Sequence, residues 1–279
     1  AIYLAVRACI NLGDEVLIPT PSWVSYTEIV RAASGVPIEV SLSPDDNYAI
    51  KKSVLEQYIS EKTRMIILCS PNNPTGRMIN EQEIEEIIEL ICGRGIVILS
   101  DEVYEKIAYI DRVLSPGSYA ELADKTITVN GFSKAYAMTG WRLGYLAGPQ
   151  KYVDVINKLY THTITGTSPF IQEAAIVALD CDEEVAAMCK EYTRRKEYFV
   201  NELNSISGIE VLEPEGAFYA WCKFTNIDNP AGEMLEKARV VGVPGNAYGL
   251  GFDSYVRFSF ASKIDELETA VYRIKSFMK

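Results

Sequence analysis

Lys134 stands just beyond the apolar run Thr126-Ile127-Thr128-Val129, inside GFSKAYAMTGWRLGY, and Arg142 follows it eight residues later. An amine at the mouth of a buried strand loses hydration, its pKa falls, and it gains nucleophilic character. Two other apolar runs end in the same way. RMIILC leads into SPNNPTG (70–76), which offers Asn73, and IVIL leads into SDEVYE (100–105), which offers Asp101 and Tyr104. In open α/β sheets, ligands bind outside the carboxyl ends of the strands, so these four side chains would converge on one pocket. Each also has a plainer reading. Asn-Pro-Thr-Gly is a good turn, Asp101 is a plausible N-cap, Tyr104 suits a core with its hydroxyl paired, and Lys134 suits a solvated loop. Singly the plainer readings win, but together they leave an acid and an amine behind fully apolar strands without a reason.

The elements that must position these residues follow from the apolar pattern. Strands are expected at EVLIPTP (15–21), VPIEVSL (36–42), RMIILCS (64–70), IVILS (96–100), TITVN (126–130) and RLGYLAG (142–148). Helices are expected at WVSYTEIVRAAS, at SVLEQYIS and at NEQEIEEIIELICGRG. In the last of these Ile84, Ile87, Ile88 and Ile91 share one face, and Gly93 and Gly95 stop the helix. Continuous rather than alternating Val/Ile/Leu runs imply strands covered on both faces, hence an α/β fold with a mostly parallel sheet flanked by helices. Beyond about residue 170 come two long helices, SPFIQEAAIVALD and EEVAAMCKEYTRRKEYFVNELNS. VLEPEGAFYAWCKF, YVRFSFA and a final amphipathic helix follow. The expected division is a large domain over 1–183 and a smaller C-terminal α+β domain over 184–279. Residues 1–12 are expected to be the end of a helix closed by Gly13, with the N-terminal part of the large domain lying before residue 1.

Composition narrows the chemistry. The chain has 279 residues, 48% of them apolar, with 38 acidic and 27 basic side chains and a net charge of −11. No basic block stands out, so nucleic acid and anionic membranes are disfavoured as partners. No apolar run approaches the roughly 20 residues of a membrane span. Six scattered cysteines, at 9, 69, 92, 181, 189 and 222, form no CxxC pair, and there is a single histidine, His162. A structural zinc site and a Ser-His-Asp or Cys-His site are therefore disfavoured. Lone cysteines in apolar runs read as reduced core residues of a cytoplasmic protein.

In this order and spacing, SPNNPTG, SDEVYE and NGFSKAYAMTGWRLGY resemble the fold-type I pyridoxal-phosphate (PLP) enzymes. They are most similar to class I/II aminotransferases of the branch that includes prokaryotic aspartate aminotransferases. The similarity extends through PSWVSY, EGAFYAW and YVRFSFA and covers essentially the whole chain. The resemblance implies that Lys134 carries pyridoxal 5′-phosphate covalently and moves the substrate proton. It further implies that Asp101 pairs with the ring nitrogen, that Asn73 and Tyr104 bond the ring's phenolic oxygen, and that Arg142 and Ser133 hold the phosphate. Many relatives carry a serine three residues before the lysine, where this chain has Gly131. Trp23 would stack on the ring, although alone it reads as an aromatic anchor at a helix start. Arg257 would fork onto the substrate α-carboxylate with Asn73 beside it, although a lone strand arginine usually snorkels to the surface. Phe218 and Tyr219 would only line the substrate side.

The activity so implied is ping-pong transfer of an amino group from an L-amino acid to a 2-oxo acid, aspartate and 2-oxoglutarate being the default pair. A homodimer is implied as well. In the family a phosphate-binding loop lies just upstream of AIYLAV, so tight PLP binding is expected only with a preceding segment. A PLP-dependent lyase or synthase on the same scaffold would keep nearly all these motifs. A non-catalytic PLP-binding module is the third reading, and the intact Lys134, Asp101, Tyr104 and Arg257 weigh against it.

Overall fold

The computed structural model describes residues 1–279. Six strands, β1 (Glu15–Thr20), β2 (Val36–Ser41), β3 (Thr63–Cys69), β4 (Val97–Asp101), β5 (Thr126–Gly131) and β6 (Gly144–Ala147), form one sheet in the order β2-β1-β3-β4-β5-β6. β1 to β5 are parallel to their neighbours, and β6 returns antiparallel to β5. Helices α1 (Ile2–Cys9), α2 (Ser25–Ala32), α3 (Lys52–Leu55), α4 (Glu81–Ile91), α5 (Ala120–Ala123), α6 (Gln150–Thr163) and α7 (Pro169–Leu179) accompany this sheet.

The apolar runs do not alternate because both sheet faces are covered. Val16, Ile18, Met65, Ile67, Leu99 and Ile127 pack into one core with residues of α1 and α2. Leu17, Ile66, Leu68 and Ile98 point the other way, against Ile84, Ile87 and Ile91 of α4. Adjacent residues of one strand thus serve two cores, which is what a parallel sheet between helix layers requires.

β6 is the exception. It is the edge strand, and Gly144, Tyr145 and Ala147 are exposed. The apolar look of RLGYLAG therefore reflects an uncovered edge rather than a core strand. Two smaller corrections concern the helices. The first helix ends at Cys9, and Gly13, at φ +83°, instead turns the chain into β1. SVLEQYIS is helical only through Leu55 and continues as a tight 3₁₀ turn.

The C-terminal part is built on α8 (Asp182–Asn204), 23 residues long. A second sheet, of order β7-β8-β10-β9, comprises β7 (Ile209–Leu212), β8 (Tyr219–Phe224), β9 (Val243–Pro244) and β10 (Tyr255–Ser259), all antiparallel. Helices α9 (Pro230–Glu233) and α10 (Ile264–Phe277), with α8, close its core around Phe199, Phe224, Phe258 and Ile274.

The two sheets meet where the SPNNPTG turn touches EGAF. The N–H groups of Glu215 and Gly216 both donate to the Gly76 carbonyl, at 2.9 and 2.8 Å. The Ala217 N–H donates to the Ile107 carbonyl at 2.8 Å, and the Met78 N–H donates to the Glu215 carboxylate at 2.7 Å. Gly216 is required by closeness: a Cβ there would lie 2.5 Å from Pro71 Cγ and 2.9 Å from the Ile107 carbonyl oxygen. Gly76, at φ +71°, meets Pro214 equally closely.

Candidate active site

One cleft at the carboxyl ends of β3, β4 and β5 is lined by Trp23, Asn73, Asp101, Tyr104, Ser133, Lys134, Arg142 and Arg257. All eight candidate residues are thus brought together. Seven come from the first sheet and its connections, and Arg257 reaches in from β10. His162 lies on an exposed face of α6, and no group of three or more His, Cys, Asp or Glu side chains is arranged to hold a metal ion.

Asp101 ends β4 and is buried. The Tyr26 hydroxyl donates to its Oδ2 at 2.6 Å, and the Val103 N–H donates to Oδ1 at 3.3 Å. The carboxylate therefore braces the turn that follows and lines the cleft at the same time. Burial pushes this carboxyl above the usual range, and the bonds from Tyr26 and Val103 oppose the shift only in part. Cys69 lies beside Asp101 in the cleft lining, and burial lifts its thiol to about 12. It is an inert wall rather than a nucleophile.

Lys134 follows β5 and is half-buried. Its Nζ lies 5.9 Å from the centre of the Tyr104 ring and 5.8 Å from that of Phe218. Burial lowers its pKa, and the guanidinium charges of Arg257 and Arg142 lower it further, against the pull of Asp101. A lysine so placed gives up its proton more easily than a surface one.

Arg257 donates from Nη1 to Asn73 Oδ1 at 2.9 Å, while its buried Nε has no partner. Its guanidinium carbon lies 4.3 Å from the centre of the Tyr219 ring and 5.4 Å from that of Tyr248. No carboxylate pairs with it. A guanidinium held between two aromatic faces with a buried free N–H is arranged to receive a bidentate anion. Asn72, not Asn73, holds the turn, accepting from Thr75 Oγ1 at 2.9 Å, so Asn73 is free to face the cleft.

The remaining groups are looser. Arg142 sits in the left-handed region, at φ +55°, and donates from Nη1 to the Thr139 carbonyl at 3.1 Å, leaving its other donors exposed. Thr139 Oγ1 in turn donates to the Ser133 carbonyl at 2.7 Å. At Gly131 a Cβ would lie 3.2 Å from the Leu143 carbonyl oxygen and 3.3 Å from Gly144 Cα, so the close β5–β6 approach favours glycine there. Trp23 meets the Tyr26 ring edge-on at 5.3 Å.

Two neighbours of the candidate residues are not visible in the sequence. Tyr26 lies three residues after Trp23, on the inner side of α2, and its spacing hinted only at burial. Tyr219, read as mere lining, bonds the Tyr104 hydroxyl at 2.7 Å.

Residues 1–274 match the family described as aminotransferase class I and II. The chain belongs to that family. It is similar to a bifunctional aspartate aminotransferase and glutamate/aspartate-prephenate aminotransferase of Petunia hybrida, at 39% identity over 99% of this chain and 61% of that one. It is 38% identical to a probable aspartate/prephenate aminotransferase of Aquifex aeolicus, over 100% of this chain and 73% of the relative. Among solved structures, an aromatic aminotransferase from Pyrococcus horikoshii superposes with a TM-score of 0.94 at 38% identity, over 99% of this chain and 76% of the other. The aspartate aminotransferase of Rhizobium meliloti gives 0.94 at 32%, over 99% and 73%. The family chain described here thus spans about 61% of the length of its Petunia relative.

Proposed function

We propose that this family member transfers an amino group between an L-amino acid and a 2-oxo acid, with pyridoxal 5′-phosphate held on Lys134. The observation that carries the reading is a pair of charges facing one cleft, buried Asp101 and half-buried Arg257, neither with a counter-charge of its own. Asp101 is bonded only by the Tyr26 hydroxyl and the Val103 N–H, with no ion-pair partner, and Arg257 has neither an anion nor a partner for its buried Nε. A pyridine nitrogen bearing a proton satisfies the first, and a substrate carboxylate satisfies the second. The donor set therefore fits the cofactor and an amino acid together.

When bound, the cofactor supplies a carbonyl that condenses with amines and a ring that accepts the electron pair released at the substrate α-carbon. The chain supplies the rest. Asp101, kept in place by Tyr26, would hold a proton on the ring nitrogen. Tyr104 and Asn73 would bond the phenolic oxygen. Arg142 and Ser133 would hold the phosphate, and Trp23 would cover a ring face. Arg257 and Asn73 would fix the substrate α-carboxylate. The amine of Lys134, freed once the substrate amine has taken its place and eased toward its neutral form by burial and the two arginines, would take that proton from the α-carbon.

We infer aspartate and 2-oxoglutarate as the default pair from the names of the relatives, and aromatic amino acids as the first competitors. A homodimer is supported by an uncovered apolar face: Phe170, Ile176, Val177 and Leu179 of α7 are exposed beside the open edge of β6. No helix is long and apolar enough to cross a membrane. All six cysteines are unpaired, which favours the cytoplasm as the compartment.

The deciding experiment adds pyridoxal 5′-phosphate, reduces with borohydride and maps the labelled peptide. Label on Lys134, lost in Lys134→Ala, is expected, together with 2-oxo acid formation from aspartate only when 2-oxoglutarate is present. Label spread over surface lysines would overturn the cofactor assignment. Product formed without an acceptor would replace transfer by elimination.

A further inference from the structure

Tyr219 occupies a position that the reading above leaves unused. It begins β8, where its register partner on β10 is Ser259, and Arg257 is the partner of Trp221 two residues on. Side chains two apart on a strand share a face, so Tyr219 and Arg257 are diagonal neighbours on the side of the second sheet that looks into the cleft. The Tyr219 ring carries the guanidinium at 4.3 Å, and its hydroxyl meets that of Tyr104 at 2.7 Å. The two phenol rings cross edge to face, with centres 5.7 Å apart and planes at 80°. Both are buried. One residue of the second sheet therefore touches the group that would hold the substrate carboxylate and the phenol on the first sheet that would bond the cofactor ring.

We propose that Tyr219 is a positioning residue with two separable jobs: its ring seats Arg257 for the substrate carboxylate, and its hydroxyl orients and polarises the Tyr104 hydroxyl toward the cofactor's phenolic oxygen. The proposal rests on the reading of the site given above. The ring's job follows from electrostatics. A guanidinium over an aromatic face is attracted by the ring quadrupole and keeps its fork free for an anion. The hydroxyl's job follows from hydrogen-bond chains. A Tyr104 hydroxyl that accepts a bond from Tyr219 becomes the stronger donor to a third group. The alternative role, simple filling of space between the sheets, needs the ring but neither the hydroxyl nor the cation contact.

Two variants separate the jobs. Tyr219→Phe keeps the ring and deletes the hydroxyl, and Tyr219→Leu deletes both. Affinity for a carboxylate is measured on the full chain with succinate as the probe, by isothermal titration without pyridoxal 5′-phosphate. Tyr219→Phe should match the unmodified chain within about twofold, whereas Tyr219→Leu should bind roughly three- to thirtyfold more weakly, the range expected for loss of a cation–π contact. The second readout is the pH midpoint of the visible absorbance of the chain loaded with pyridoxal 5′-phosphate. A weaker donor at the phenolic oxygen stabilises its negative charge less. That charge is least neutralised once the neighbouring nitrogen has lost its proton. The midpoint should therefore rise in both variants, by about half a unit in Tyr219→Phe.

Thermal unfolding of the unloaded variants controls for damage to the fold. Equal succinate affinity in all three proteins would overturn the ring's job. An unmoved midpoint in Tyr219→Phe would overturn the hydroxyl's job. Variants that differ from the unmodified chain only in melting temperature would reduce Tyr219 to packing. If no lysine takes up the cofactor in the unmodified chain, the reading of the site fails, while the succinate titration still decides the role of the ring.

Discussion

Two arginines show how differently a fold can treat a buried charge. Arg77 lies next to the SPNNPTG turn and pairs with Glu83 at 2.6 Å, both side chains being nearly excluded from solvent. Glu83 also accepts from the N–H groups of Asn80 and Ile50, and Asn80 caps the Glu83 N–H in return, closing a capping box at the start of α4. Arg77 keeps one unpartnered N–H, but its charge is matched within the chain. Arg257, in the cleft, has the same guanidinium and no carboxylate at all. Charges matched inside the chain build structure. Charges left unmatched cost stability and are retained where a ligand completes them.

The largest expected effect breaks the matched cluster. Glu83→Ala strands the Arg77 charge and removes the carboxylate half of the capping box at α4, and denaturant unfolding should record a loss of about 3–5 kcal/mol. Arg257→Gln should change stability by less than about 1 kcal/mol, because no counter-charge is stranded and only a bond to Asn73 and two ring contacts are lost. Equal losses in the two variants would dissolve the contrast.

Arg257→Gln should act instead on Lys134. Removing a nearby cation relieves the push on the lysine, its pKa rises, and less of it is neutral at pH 8. Acetylation of Lys134 by acetic anhydride, followed by peptide mass mapping, should slow roughly two- to fivefold. Unchanged labelling would mean that burial and Arg142 set the lysine without Arg257.

The smallest effect sharpens the comparison at Asp101. Its carboxyl is raised in the folded chain, so folding favours the protonated form. The resulting cost is absent below the ordinary carboxylate range and is fully present above the raised value. Asp101→Asn should therefore melt about 1–3 °C higher than the unmodified chain at pH 7, with the gain fading as the pH falls toward 4. A lower melting temperature at neutral pH would show that the bonds from Tyr26 and Val103 outweigh burial.

The sequence displayed the parallel sheet because its signal is local. Runs such as Met65-Ile66-Ile67-Leu68 are apolar at every position, and only two-sided cover explains them. Lys134, Asp101 and Asn73 were legible for the same reason, since each follows such a run directly. The exposed β6 edge was not legible, because Leu143, Tyr145 and Leu146 look the same whether covered or bare. The hydroxyl partners were not legible either. Tyr26 reaches Asp101 across 75 positions and Tyr219 reaches Tyr104 across 115, distances that register and sheet docking set and no local pattern encodes. Arg257 stood between, visible as a cation among apolar neighbours but without any sign of Asn73, 184 positions away.

The corner where the Gly76 carbonyl receives two N–H groups gives the molecule a mechanical character. Proline rings and glycines stand in contact there with no slack, and the backbone is bonded across the seam at Gly76, Ile107 and Met78. A second attachment lies on the other side of the cleft, where the Ser22 N–H donates to the Tyr248 carbonyl at 3.0 Å and Trp221 Nε1 donates to the Tyr48 hydroxyl at 3.0 Å. Two anchors fix an orientation that one would leave free to swing. The spacing between Tyr104 and Tyr219 is therefore set by the frame of the molecule and not by their own contact alone.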